Sequence, residues 1–390
     1  MKKIILSAAV AAMAFSTSAV AADKGIDIDV GGQAVVYYET MNSDTNTAGE
    51  QDNGMFDQAN SMANVGIQLD LGADLGNNFT FGSQLTYIGT LGLENNLVDS
   101  TRTSTNQSLN QDLTSQIMLT KIFVAKKIAN TTVKVGRQEL PKSLSPLAFT
   151  EGWNVYKNTF DAILAVNTDL PKTTLVGAYV SGGTGHSPAS TDDLSAGGAG
   201  VTGGAYMITA QTKLIPMTTL TASFYQLNEV GTTADNVDSN AYWVDAKIAP
   251  KDAPLGLKLA LQAGNISPDG VSTGVSATAY DDTNAFGAKL SAKVAGVSLK
   301  AIYTTVDDGS VQMRNTGTNI KTPLFSQMMY NQKAIALDND TIVVGAAYNT
   351  GDMGTVADNY GMTTMGQNSD INTAGQDADY NELDLVYKVK

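Results

Sequence analysis

The chain has no cysteine and a single histidine in 390 residues. A protein of this size without disulfides is outside the small cystine-stapled class and needs a large hydrogen-bonded framework instead. The lone histidine, His186, sits in the Gly/Ser/Thr stretch Ser181–Ser190, a poor start for a metal site or a catalytic base. Positive charge is also short. Lys and Arg number 24 against 38 Asp and Glu, giving a formal charge of −14, which argues against nucleic acid and its demand for a basic footprint. Gly-x-Ser-x-Gly, His-Glu-x-x-His and Walker-type loops are all missing, so enzyme readings start weak. Past residue 21, no apolar run reaches the ~20 residues that a membrane-spanning helix requires.

What is present begins with a secretory leader. Lys2 and Lys3 form a positive start, Ile4–Phe15 an apolar centre, and Ala19-Val20-Ala21 a small-x-small cleavage site. The expected division is a signal peptide over 1–21 and one domain over 22–390. Cleavage removes two positive charges, so −14 becomes −16.

The rest of the chain alternates. Segments of about ten residues, the length of a tilted membrane-crossing strand, carry apolar residues on one face and polar ones on the other. The predicted strands are Ile26–Thr40, Asn64–Leu71, Phe79–Thr90, Ser115–Ile128, Thr131–Gln138, Thr159–Thr168, Thr173–Ser181, Ala205–Lys213, Thr218–Leu227, Asn240–Ile248, Gly256–Ile266, Thr283–Val294, Val297–Val306, Thr341–Thr350, Gly354–Met362 and Tyr380–Lys390. That is about sixteen, with eighteen or fourteen if one weak pair is missed or invented. Short turns alternate with long polar connections, and all nine prolines fall in connections on this reading. Gly31-Gly32 predicts a bulge or kink in the first strand. Asp70, Asp161, Asp245, Lys247, Lys258, Lys289, Lys293, Lys300, Glu382 and Asp384 occupy the polar face, which must be wet. A closed antiparallel barrel with a lumen satisfies both faces and leaves no backbone group exposed to lipid. Ile117–Ile128 resists the scheme, being apolar on both faces, so Lys121 cannot be oriented.

The leader, the alternating loops and Val135-Gly136-Arg137-Gln138-Glu139-Leu140, followed by an irregular loop and the Leu170-Pro171 turn, resemble Gram-negative outer-membrane porins. The motif part is similar to OprD-type porins and to the major porins of epsilon-class proteobacteria. The resemblance implies an all-β transmembrane barrel of sixteen or eighteen strands with its third long loop folded into the lumen. In this sequence that loop is Pro141–Asn158. It also implies a water-filled channel for small hydrophilic solutes and ions, an outer-membrane location among lipids and lipopolysaccharide, a homotrimer, and handling by the barrel-assembly machinery. The chain departs from the pattern at its end. Such barrels usually finish in an aromatic residue, and here the last one, Tyr387, lies three residues early.

On this reading Glu139, Lys142, Glu151 and Lys157 contribute charge at the constriction, and Lys134, Lys258, Lys289 and Lys300 form a basic strip on the wall, with Asp161, Asp245 and Lys247 also facing the lumen. Arg137 shares parity with Val133 and Val135, which aims it outward to the rim and lipid phosphate; a bulge at Gly136 would turn it into the pore instead. The excess acid lies in the long connections (Asp44, Glu50, Asp52, Asp192, Asp193, Asp281, Asp282, Asp307, Asp308, Asp338, Asp340) and predicts a modest cation preference that weakens with salt. The same carboxylates are candidate calcium ligands, although no stretch matches an EF-hand loop. Two other classes compete. An exported adhesin or surface-layer β-protein would show a fixed repeat, and none is visible. An outer-membrane barrel enzyme would depend on His186.

Overall fold

Branched and aromatic residues alternating with small polar ones favour pleated strands, and sixteen long strands form in the computed structural model. The structure describes residues 3–8, 13–19, 28–43, 55–90, 92–93, 97–98, 101–102, 108–109, 115–152, 156–185, 194–196, 199–201, 203–231, 236–269, 280–369 and 378–389. In chain order the long strands are β1 (Ile28–Ser43), β2 (Ser61–Gly76), β3 (Phe79–Gly89), β4 (Ser115–Ile128), β5 (Thr131–Gln138), β6 (Phe160–Asn167), β7 (Thr173–Gly183), β8 (Ala205–Thr212), β9 (Thr218–Gly231), β10 (Asn236–Ile248), β11 (Lys258–Pro268), β12 (Thr283–Val294), β13 (Val297–Val306), β14 (Asn339–Asn349), β15 (Thr355–Met365) and β16 (Ala378–Lys388). All lie in one sheet, and neighbours in sequence are neighbours in it. Tight turns sit where the sequence places them. Ala129 (φ 51°), Ala295 (φ 49°) and Gly296 (φ 85°) take the left-handed backbone that lets two residues reverse a hairpin.

The other edge of β1 is occupied from within the leader. Lys3–Ala8 and Met13–Ala19 both pair antiparallel with β1, in registers running from Lys3↔Ser43 to Ala8↔Tyr38 and from Met13↔Ala34 to Ala19↔Ile28. Cleavage at the expected site would free that edge.

Three expectations need correction. The register of β1 against β2 runs unbroken through Gly31 and Gly32, so no bulge forms there. A Cβ at Gly32 would lie 2.2 Å from the Gln68 carbonyl oxygen, so this glycine permits a close strand approach instead. The predicted long connection Asn228–Ser239 is largely strand. β9 runs on to Gly231 and β10 starts at Asn236, with a register shift between Leu227 and Val230 and Glu229 at φ 51°. Lastly, Pro268 closes β11 rather than lying in a loop; a terminal position tolerates its missing donor.

The exposed face of the strands is the apolar one. Leu385 on β16 is 75% exposed beside Asp384 at 7%, and Ile208 on β8 is 66% exposed beside Thr209 at 0%. Ile67, Leu69, Leu85, Phe286, Leu290, Ile342 and Val344 repeat this, while Gln68, Thr86, Gln262, Thr304 and Thr341 are buried. A water-soluble protein does the reverse. Apolar residues bear outward when the surrounding medium is hydrocarbon.

A bulge explains the strand that would not orient. Gln84 pairs with Lys121 and Leu85 with Leu119, which leaves Thr120 as the extra residue of β4. Ile117 and Leu119 are exposed before it, Ile122 and Val124 after it, while Thr120 is buried. The parity flips at Thr120, and Lys121 joins the polar face.

By contact density the chain divides into two compact units. One comprises Met1–Glu139, Thr150–Ile163 and Gly182–Asp192, the other Leu140–Phe149, Leu164–Ser181 and Asp193–Lys390. The loop Pro141–Asn158 contributes a limb to each.

Candidate functional site

In the first unit the polar face is a hydrogen-bonded ladder. The amides of Gln33 and Gln68 bond to each other, Gln68 Nε2 donates to Gln84 Oε1 (3.2 Å) and Thr86 Oγ1 (3.1 Å), and Thr120 Oγ1 donates to Gln84 Oε1 at 2.8 Å. Gln84 Nε2 donates to Asp70 Oδ1 at 2.8 Å. A charged cluster continues it. Lys121 Nζ lies 3.4 Å from Asp70 and 3.0 Å from Glu139, and Lys157 Nζ lies 3.1 Å from the other Glu139 oxygen. Glu139 therefore ties a wall residue to the end of the loop. Burial pushes its carboxyl upward, but Lys121 and Lys157 together outweigh burial and hold it below the usual carboxylate range. Lys134 lays its ammonium 3.6 Å from the centre of the Phe123 ring on the same face.

The loop limb Thr150–Asn158 is anchored by Tyr156. Its ring is buried against Val35, Tyr37, Ile88 and Met118, and its hydroxyl donates to the Tyr87 carbonyl at 3.2 Å. Gly66 makes the space: a Cβ there would fall 0.8 Å from the Tyr156 hydroxyl oxygen. Burial pushes that hydroxyl well above the ordinary phenol range, so it stays a donor. Glu151 is buried, and its N–H donates to Asn158 Oδ1 at 2.7 Å, pinching the limb closed.

In the second unit the limb Leu140–Phe149 is joined by a long segment that the sequence marked only as a polar connection. Asp307–Asp338 is mostly buried, with Met313, Leu324 and Ile335 at 1% exposure or less. The two segments are zipped together. Phe149 N–H donates to Asn315 Oδ1 (2.9 Å), Asn315 Nδ2 donates back to the Phe149 carbonyl (2.8 Å), and Thr316 N–H donates to the Leu147 carbonyl (2.8 Å). Lys142 Nζ donates to the Thr322 carbonyl at 3.2 Å and lies 4.8 Å over the Phe149 ring. Tyr225 on β9 supports the limb through the Leu147 N–H, which donates to its hydroxyl at 3.2 Å. This second infolded segment was missed. Its signal was the run of Met313, Leu324, Phe325, Met328, Met329 and Ile335 without a two-residue period, which suits a packed loop and no strand.

The wall of this unit carries lysines in rows. Lys258 and Lys300 both pair with Ser291, and Lys247 and Lys289 both flank Ala260, so the four share one face across β10–β13. Lys247 also approaches Asp245 at 3.3 Å. Among the described residues no ion pair involves Lys258, Lys289 or Lys300. The Lys300 row continues through Gly345 and Asn359 to Asp384, so the basic strip faces an acidic end on β16, where Glu382 accepts from the Tyr330 N–H at 2.9 Å.

Asp161 departs from its expected place on the polar face, and Arg137 takes the outward of its two alternatives, not the pore-facing one. Arg137 pairs with Ile122 and shares parity with Val135, while Asp161 shares parity with Ile163, all three exposed and apolar. Gly136 takes φ 119° without shifting the register, so it does not re-aim Arg137. The two form a bidentate ion pair, Nε–Oδ1 and Nη2–Oδ2 both 2.8 Å, at the long-connection ends of β5 and β6 on the apolar face. Facing apolar surroundings, each charge is the other's compensation. Sequence reasoning also missed Glu39, buried with its Oε2 accepting from Tyr37 at 2.6 Å.

His186, Trp153, Val20 and Ala21 of the leader cleavage site, and the acidic residues Asp44, Glu50, Asp52, Asp192 and Asp193 lie outside the described residues. Among the described ones no group of three His, Cys, Asp or Glu side chains is assembled for a metal. Asp282 and Asp307 accept instead from Ser267 (2.6 Å) and Asn284 (2.7 and 2.8 Å).

No protein-family model matches the chain, and no curated protein sequence does. Solved structures do. OccK8 (OprE) of Pseudomonas aeruginosa is similar with a TM-score of 0.69 at 17% identity, covering 92% of this chain and 88% of that one. OccAB3 of Acinetobacter baumannii gives 0.69 at 13%, over 93% and 88%, and OccK3 (OpdO) of Pseudomonas aeruginosa 0.63 at 17%, over 84% and 80%. These are OprD/Occ-family outer-membrane porins, and the chain has their all-β antiparallel barrel fold.

Proposed function

We propose, starting from an OprD/Occ-type porin fold, that the mature chain is an outer-membrane channel for passive diffusion of small hydrophilic solutes and ions, not a catalyst. The observation that carries this is the inverted sheet: an exposed apolar face backed by a buried ladder of amides, hydroxyls and charges. Such a ladder is made for water contact, and the infolded segments narrow what passes along it. Glu139, Lys142, Glu151 and Lys157 are the narrow part's charged contributors, and Lys134, Asp245, Lys247, Lys258, Lys289 and Lys300 are the wall's. A basic strip ending at Asp384 orients dipolar solutes without binding them tightly. Excess acid in the external connections gives a modest cation preference, stronger at low salt. The same reading includes removal of 1–21, delivery by the barrel-assembly machinery, contact with lipopolysaccharide and a homotrimer.

The test is single-channel conductance of the refolded mature chain in a planar bilayer across a salt gradient. Stepwise openings with a cation-selective reversal potential support the whole reading. Openings with no cation preference keep the pore and end the charge argument. A membrane-inserted, β-rich protein without conductance overturns the proposal and favours a surface adhesin.

A further inference from the structure

Two apolar residues stand on the polar face of the second unit, where a wet wall has no use for them. Register places Lys289, Ile302, Val343, Gly361 and Glu382 in one row across β12–β16. Ile302 and Val343 are buried, while their strands turn Tyr303, Ile342 and Val344 to the exposed apolar side. Inward isoleucine and valine on a water-lined wall call for a cover. The cover is the tip of the second infolded segment, Lys321–Gln332. Met328 packs on Ile302 and Val343 with Phe325 beside it. Gly361 makes the room, since a Cβ there would run into the Met328 sulfur.

The tip is braced within itself. Lys321 Nζ donates to the carbonyls of Met328 (3.4 Å) and Met329 and to Gln332 Oε1 (3.3 Å). Thr322 N–H donates to Gln327 Oε1 (2.7 Å), Met328 N–H to Asn331 Oδ1 (2.8 Å), and Asn331 Nδ2 to the Ser326 carbonyl (2.8 Å). Polar contacts then seat it on the wall. The Ser326 hydroxyl meets that of Thr304 on β13 at 2.6 Å, and Asp384 accepts from the Met329 N–H. Glu382 accepts from the Tyr330 N–H at 2.9 Å through one oxygen and from the Tyr380 hydroxyl at 3.1 Å through the other. It is left 9% exposed.

We infer that Glu382 is the positioning residue of this tip, and that the tip in turn withholds the Glu382 charge from passing ions. Gly361 and Glu382 are direct cross-strand partners, and Met328 and Tyr330 are two residues apart. Neighbouring strands lie about 5 Å apart, within a two-residue step, so notch and carboxylate grip one short stretch of backbone. The apolar notch alone would let the tip slide; a charge-assisted bond to a single N–H fixes its register. With the tip seated, the row offers the lumen the Lys289 amine and a covered carboxylate. With the tip lifted, Glu382 joins the wall as an ordinary exposed charge.

The inference rests on the channel reading, and trypsin cleavage after Lys321 tests it without any current. The refolded mature chain, its folding checked by heat-modifiable gel mobility, should resist cleavage there. So should Glu382→Gln, which keeps an acceptor for the Tyr330 N–H. Glu382→Ala should be cut about tenfold faster, the worth of one hydrogen bond to a charged group. Gly361→Val, which fills the place of Met328, should be cut likewise, with Met328→Asn in its stead if that variant does not fold. In a planar bilayer, Glu382→Gln should leave the wild-type reversal potential in place. In the Gly361→Val background the same change should lower the cation-to-anion permeability ratio about fourfold, the effect of a unit charge about 5 Å from an ion in water. Equal shifts in both backgrounds, or a tip cut no faster in Glu382→Ala than in wild type, overturn the inference. Conducting channels keep the channel reading even then, and a silent wild type whose tip is protected through Glu382 ends the channel reading while keeping the anchor.

Discussion

Both units carry charges on their polar faces but spend them differently. In the first, Lys121, Lys157, Glu139 and Asp70 are knitted into one cluster that holds the loop end to the wall. In the second, Lys258, Lys289 and Lys300 stand in register without ion-pair partners among the described residues, and the infolded segments are held without an ion pair of their own there, by contacts between Phe149, Leu147, Asn315 and Thr316 and by Lys142 on the Thr322 carbonyl. Paired charges cancel at a distance and act as mechanical ties. Unpaired ones keep their field and act on whatever passes. The first unit is thus the one whose substitutions should alter how steadily the channel is held, and the second the one whose substitutions should alter which ions it prefers.

The largest expected effect comes from the anchor of the first unit. Tyr156→Ala removes a buried ring, a loss of about 3 kcal/mol for an aromatic truncated in a packed site. The freed limb should give a larger and noisier unit conductance. Gly66→Ala should reproduce this, since its new methyl would occupy the hydroxyl's place 0.8 Å away. The double variant should be no worse than Tyr156→Ala alone, because the clash has then been removed. A quiet Tyr156→Ala channel of unchanged conductance would show that the limb is held elsewhere.

Second in size is charge reversal on the wall. A unit charge about 5 Å from a permeating ion in water is worth ~0.8 kcal/mol, about a fourfold change in local ion concentration. Lys289→Glu and Lys300→Glu should therefore move the reversal potential clearly toward cations, most at low salt, with little added noise. Lys121→Gln should do the opposite, adding noise with a small change in selectivity. If both sets shift the potential equally, the division of labour between tie and field fails.

Much of this arrangement was legible in the residues. All sixteen strands were anticipated, all but Ser115–Ile128 with a clear polar and apolar face, and Ser115–Ile128, Thr131–Gln138, Thr283–Val294 and Val297–Val306 match their expected limits at both ends. Alternation also placed Lys258, Lys289 and Lys300 on one face, because a strand with one apolar face has a single acceptable parity. It failed where parity is local. Thr120 adds one residue to β4 and flips every side chain beyond it, which no count along Ile117–Ile128 reveals. Asp161 was assigned to the polar face because Phe160, Ala162, Leu164 and Val166 alternate against it as the apolar set. The structure shows a charge can sit on the apolar face when Arg137 compensates it across the strands, a pairing visible only once the register is known. The infolding of Asp307–Asp338 was hidden for a third reason. Its partners, Leu147 and Phe149, are far away in sequence, and the contacts run through backbone groups that every residue carries.

The smallest effect distinguishes a tie from a field by pH. Glu139 is one-third exposed and Lys157 half exposed, so their pair is worth at most about 1 kcal/mol. Its carboxyl is depressed, so the tie is fully present above the unfolded value near ~4.3 and is lost only as pH falls through the still lower folded one. Wild-type channels should accordingly stay quiet on acidification to about pH 4 and become noisy below it. Lys121→Gln removes one of the two cations that hold the carboxyl down while burial continues to push it up, so the onset of noise should move to higher pH. An onset that does not move would mean that Glu139 carries no part of the tie and that the cluster, like the lysine rows, acts through its field.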